Sequence, residues 1–207
     1  MAGLTLGQTL RAPLFWAMAL ALMLLFYGLF GMMVHQVPFY ESVGVSRSVG
    51  AALVSIAAAF SIIPRLAFGL LADRVPRVET LAMGLLAFLT AGIAALMIDT
   101  GTVGIALFVV LSTVGSGGGP LLEPLLMGRA FGLKHFGAIL GALVLVETFG
   151  FIISPVVAGA IFDSTGSYNW ALVMFLGTFA ASFVLFYLAA RLPHPSISQP
   201  EAVHVAR

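Results

Sequence analysis

Long apolar runs alternate with short polar turns along this chain, and the alternation predicts its elements. A membrane-spanning helix needs about 20 mostly apolar residues. Runs of that size extend roughly over 13–36, 46–72, 80–98, 103–127, 136–161 and 169–190. Between them lie Val37-Pro38-Phe39-Tyr40-Glu41, the charged stretch from Asp73 to Arg77, Asp99-Thr100-Gly101, Arg129 to Lys134, and Asp163-Ser164-Thr165-Gly166-Ser167-Tyr168, each reading as a turn. The pattern predicts an all-α membrane protein, a bundle of six transmembrane helices. Residues 1–12 read as a short lead-in on the cytoplasmic side, 13–191 as one transmembrane domain, and 192–207, opening with Pro193-His194-Pro195, as a disordered cytoplasmic tail. No turn is long enough to hold a second domain.

Composition agrees. Of the 207 residues, 61% are hydrophobic and 8% charged, whereas a soluble domain carries about 25% charged residues. The partner this implies is the lipid bilayer. Net charge is +1, and the basic residues stand singly at span ends, so nothing points to nucleic acid. With no cysteine, disulfides, zinc–thiolate sites and thiol catalysis are excluded. There is no Ser/His/Asp arrangement, no metal-ligand spacing and no paired-carboxylate site, so neither an enzyme nor a cofactor or metal is expected. Arg11 precedes a full spanning run with no small-residue cleavage site, which reads as an anchor. With Arg11 cytoplasmic, six spans put Arg74, Arg77, Arg129, Lys134, Arg191 and Arg207 on the same side and leave Arg47 outside. That bias predicts a multi-pass protein of the inner (plasma) membrane with both termini cytoplasmic.

The candidate chemistry begins at Arg65. It stands about seven residues before the end of its span, about 10 Å deep at 1.5 Å per residue. A cation at that depth is expensive and should face a bundle interior or a watered cavity, holding an anion. A structural pair with Glu123, or snorkelling to the surface, is the alternative. Gly69 and Asp73 follow at helical spacing on the same face, and Asp73, Arg74 and Arg77 form a charge cluster at the helix exit. A plain topology-setting loop is the simpler reading of that cluster.

Glu147 lies near the middle of the fifth run. A carboxyl there is neutral and bonded between helices, paired with Arg65, or exchanging a proton during transport. Glu123, beside Pro124 and nearer the inner surface, reads as a gating group or as a carboxylate reaching toward Arg129. Tyr27, in mid-span, lines a cavity or simply packs. His35 reads as interfacial. Gly115, Gly117, Gly118 and Gly119 lack the Lys-Ser/Thr of a phosphate loop, so close packing or a hinge accounts for them. Gly137 and Gly141 form a similar small-residue face.

These residues bear a resemblance. Gly69-Leu-Leu-Ala-Asp73-Arg74-Val-Pro-Arg77 resembles the loop motif Gly-xxx-Asp-Arg/Lys-x-Gly-Arg-Lys/Arg of the major facilitator superfamily, with Pro76 in place of the motif's glycine and Val78 in place of its last basic residue. Gly132-Leu-Lys-His-Phe-Gly137 and the stretch from Pro155 to Tyr168 are similar to the fifth and sixth spans of the carboxy-terminal half of such transporters, in the monocarboxylate and oxalate–formate branch. The opening from Leu4 to Trp16 resembles the end of the central cytoplasmic loop. The resemblance runs from Arg11 to Arg191 and covers six of the family's twelve spans. It implies half of a major facilitator fold, a 3+3 inverted repeat. It also implies that Arg65 occupies the place of the arginine that binds substrate carboxylate. Ser61 stands where proton-linked members carry a coupling aspartate, and Glu147 is found in the span where oxalate transporters carry a lysine. The implied function is secondary active transport of a small organic anion, a monocarboxylate, by symport or antiport. Arg65, Glu147 and Tyr27 would be substrate-binding, and Glu123, Gly69, Asp73, Arg74 and Arg77 would serve coupling or gating. A second six-helix half, or a homodimer, would complete the assembly. The alternative is a truncated or non-transporting membrane protein that packs against partner helices.

Overall fold

The computed structural model describes residues 3–195, and each of the six apolar runs is helical. Arg207 and the tail from residue 196 onward lie outside the described residues. Helix α1 (Leu6–Leu10) opens the chain; Thr5 and Gln8 form a reciprocal capping box at its start. Leu4 donates its N–H to the Phe131 carbonyl at 2.9 Å, which ties this lead-in to the turn after the fourth span.

The first span, α2 (Pro13–Ser42), runs straight through the turn expected at Val37–Glu41. Pro38 removes one backbone donor. However, Phe39 and Tyr40 are buried, and Gln36 donates to the Tyr40 hydroxyl at 2.9 Å. Tertiary packing therefore outweighs the local breaker. The chain turns instead at Gly44, whose φ of +88° suits a residue without Cβ.

The second span is two pieces, α3 (Arg47–Phe60) and α4 (Ile62–Ala72), joined at Ser61. Pro64 lacks the N–H that the Phe60 carbonyl would receive, which accounts for the break. Next comes α5 (Val78–Ile98), and the expected turn at Asp99 follows. There the Asp99 carboxylate accepts from Gly101 N at 2.8 Å and Gly104 N at 3.0 Å. The fourth span comprises α6 (Thr102–Gly117) and α7 (Gly119–Phe131), with Gly118 between them. The fifth, α8 (Phe136–Thr165), continues through Pro155 and past Asp163, so the last turn begins only at left-handed Gly166. The sixth is α9 (Asn169–Ala189).

Helix α2 packs along α8 and α9, while α5 packs along α6 and α9. Small residues make the approach close. A Cβ on Gly28 would strike the Phe179 ring, and one on Gly31 would strike Ser154 and Phe175. Two hydroxyls bridge helices, Ser154 to the Tyr27 carbonyl (2.5 Å) and Ser182 to the Ala21 carbonyl (2.7 Å). Such contacts hold helices where lipid removes most of the hydrophobic drive. The Gly137 and Gly141 face behaves differently: a Cβ at either position would meet nothing within 4 Å, so the bundle leaves this face open.

The second span is the outlier. Only 6% of its apolar stretch is buried in the bundle, against 50% for the first span.

Candidate functional site

Arg65 projects from this least-covered span and is exposed. Among the described residues it forms no ion pair. Its backbone is nevertheless tightly positioned. A Cβ on Gly117 would come within 2.8 Å of the Pro64 ring and 3.3 Å of Arg65 N, and one on Gly118 would collide with Phe68 and Leu85. The glycine run thus presses the α6–α7 junction against the base of Arg65, so its role here is close packing.

Two carboxyls stand elsewhere in the bundle. Glu147 on α8 is 1% exposed, and its Oε1 has no hydrogen-bond partner. The charged group that acts on it is half-buried Glu123 on α7. The fold brings α7 and α8 close enough for the two carboxyls to act on each other electrostatically, and no hydrogen bond joins them among the described residues. Neither is ion-paired with Arg65 among the described residues. Tyr27 directs its hydroxyl to Met174 Sδ on α9, at 3.3 Å.

At the end of the bundle shared by the α4–α5 and α7–α8 turns, Gly69 is half-buried, and a Cβ there would reach only Leu121, at 4.0 Å. Asp73, at the C-cap of α4, and Arg74 are both exposed, and no ion pair joins them. Arg129 donates to the Ala72 carbonyl (2.5 Å) and the Val75 carbonyl (2.7 Å). It thereby satisfies carbonyls at a helix C-terminus, where a cation is favoured. Arg77 donates to the Leu192 carbonyl at 3.1 Å.

Sequence reasoning missed Glu79 and His194. Glu79 Oε1 lies 2.7 Å from His194 Nε2, and both side chains are buried. The expectation of a loose tail from residue 192 is therefore corrected for its first residues, where Leu192 packs on the core and His194 is enclosed. The only available signal was an acid in the first turn after Arg77 and a histidine between two prolines.

At the opposite end, His35 is half-buried. Its Nε2 faces the Pro155 carbonyl at 2.9 Å, and its Nδ1 faces the Tyr168 hydroxyl at 3.1 Å. A carbonyl only accepts, so Nε2 carries a proton, and in the neutral ring Nδ1 receives the Tyr168 hydrogen. Burial, aided by the Asp163 carboxylate, holds the Tyr168 hydroxyl above the usual phenol range and keeps that hydrogen in place. These groups border a cavity of about 20 Å³ that Met32, Phe108 and Phe175 close on its apolar sides.

No protein-family model matches the chain. It is 29% identical over 168 residues to "Monocarboxylate transporter 12" of Xenopus laevis, a match covering 80% of this chain and 36% of that protein. The human protein of the same name is 29% identical over 171 residues, covering 77% of this chain and 32% of the relative. "MFS transporter asaE" of Aspergillus flavus is 26% identical over 193 residues, covering 92% and 43%. The chain therefore spans between about a third and two-fifths of these relatives' length. Transporters, not enzymes, are what it is similar to. The chain thus has six helices long and apolar enough to cross a membrane and is similar to major facilitator transporters, consistent with one six-helix half of that fold.

Proposed function

We propose that this chain acts as one six-helix half of a secondary transporter for a small organic anion, a monocarboxylate being the best fit, with Arg65 holding the substrate carboxylate. The observation that carries this reading is an arginine within an apolar span, exposed from the bundle and without an ion pair among the described residues. A bare guanidinium facing hydrocarbon is expensive, so that surface requires water, an anion or a second protein body. In transporters of this construction the solute passes between two such halves, near the middle of the membrane. The printed name of the relatives, monocarboxylate transporter, supports the anion class. A second half, from another chain or a second copy of this one, completes the path. Glu147 and Glu123 would respond to protons during the cycle, Tyr27 would line the path, and Gly69, Asp73, Arg74 and Arg77 would govern its inner mouth. The charge bias of the turns supports a cytoplasmic side for that mouth and for both chain ends, and the plasma membrane is the location proposed for the protein.

The test is uptake of a labelled monocarboxylate into proteoliposomes that contain the complete assembly. Arg65→Ala should lower uptake about 100-fold or more, and Arg65→Lys should recover part of it, since an ammonium keeps the charge but not the two-pronged geometry. Unimpaired uptake by Arg65→Ala would remove Arg65 from the mechanism.

A further inference from the structure

The chain segment just after α9 grips the turn that carries Asp73, Arg74 and Arg77. Its first hold is through Leu192, which packs on the core and accepts a hydrogen bond from Arg77 Nη1 at 3.1 Å. The second is the Glu79–His194 pair at 2.7 Å, with side-chain exposures of 0% and 5%. Arg77 is the N-cap of α5 and Glu79 stands in its first turn, so both holds fall on the point where the α4–α5 turn enters α5. The Glu79 carboxylate also benefits from the positive end of the helix dipole there. Its other oxygen, Oε2, is buried without a hydrogen-bond partner.

From the other flank, Arg129 of α7 holds the same turn through the Ala72 and Val75 carbonyls. Asp73 and Arg74 between these grips are exposed. One short turn is thus fastened by two distant parts of the chain. It is the direct continuation of α4, the helix that bears Arg65 and that the bundle covers least.

A buried carboxylate held by an imidazole at 2.7 Å is secured while both partners are present, and loss of the imidazole leaves Glu79 buried without that hydrogen bond. When made, the contact fixes the end of α9 to the start of α5 and restrains the turn; when broken, the turn depends on Arg129 alone. We propose that residues 190–195 form a clasp on the α4–α5 turn, with the Glu79–His194 pair as its catch, and that its opening frees the turn and α4 to move.

Hydrogen–deuterium exchange on the full chain in lipid nanodiscs tests this. The variants are His194→Ala and the double variant Glu79→Gln/His194→Ala, the second leaving no buried charge that would compromise folding. Opening the clasp should speed amide exchange about tenfold or more in 190–195 and also in 73–78. The turn at 99–101, at the far end of the bundle, should keep its rate. Faster exchange in 190–195 with an unchanged 73–78 would overturn the proposal, as would a uniform rise across all six spans, which marks a general loss of packing. In the functional setting the inference rests on the transporter reading, and the double variant should alter uptake rate while leaving dependence on Arg65 intact. Exchange needs no transport, so a chain that carries no solute would count against the transporter reading alone.

Discussion

At the scale of the single residue, two ionisable groups within the membrane have opposite situations. Arg65 is exposed and forms no ion pair among the described residues. Glu147 is enclosed, with one oxygen unsatisfied, and its electrostatic neighbour is another acid. A buried polar atom without a partner costs about 1–3 kcal/mol. Glu147→Leu should therefore leave the fold unharmed or stabilise it by about 1 kcal/mol in a denaturation series in mild detergent, while transport falls. Measured destabilisation above about 2 kcal/mol would instead mean that the carboxyl forms a bond the fold depends on. The depth of both residues was legible in the sequence, because a charge inside a run of 20 apolar residues stands out by counting. What each one touches was not, since helix rotation is set by packing against other helices.

At the scale of the element, breaks and close approaches matter most. Proline gave opposite results at similar local cost: Pro64 accompanies the break at Ser61, while α2 and α8 continue through Pro38 and Pro155. The difference lies in support from neighbours. Around Pro38 two aromatic residues are buried, and the Pro155 carbonyl receives His35. Little of the α3–α4 span is covered, and what packs at its break is the glycine junction of α6 and α7, which offers no side chain to bridge it. Glycines divide in the same manner. Gly117→Leu should cost about 1–3 kcal/mol by overpacking against Pro64, whereas Gly137→Leu, facing open space, should stay within about 0.5 kcal/mol. Thermal unfolding of the two variants in the same detergent compares them directly, and equal losses would contradict the packing described here.

At the scale of the whole molecule, coverage is uneven. The first span is half buried and the second almost bare, and the chain matches only part of its relatives' length. Both facts fit a bundle designed to be covered on one side. Because the chain contains no cysteine, Arg65→Cys is a clean reporter. In the complete assembly a charged, water-soluble thiol reagent should modify it, and excess monocarboxylate should slow that reaction severalfold. An Arg65→Cys variant that resists the reagent in every condition would mean that this position faces lipid, and the proposed path would have to run elsewhere.

The number of spans, their approximate limits, the charge bias of the turns and the unusual depth of Arg65 all follow from the order of residues along the chain. Bilayer thickness and the cost of an unpaired backbone group leave few ways to read runs of that length. Tertiary structure alone decided which residues meet, as Gly117 does the base of Arg65 and Glu79 does His194. These meetings join segments distant in sequence. They depend on how each helix is rotated and seated against its neighbours, a choice made by side-chain packing among helices that share the same apolar composition.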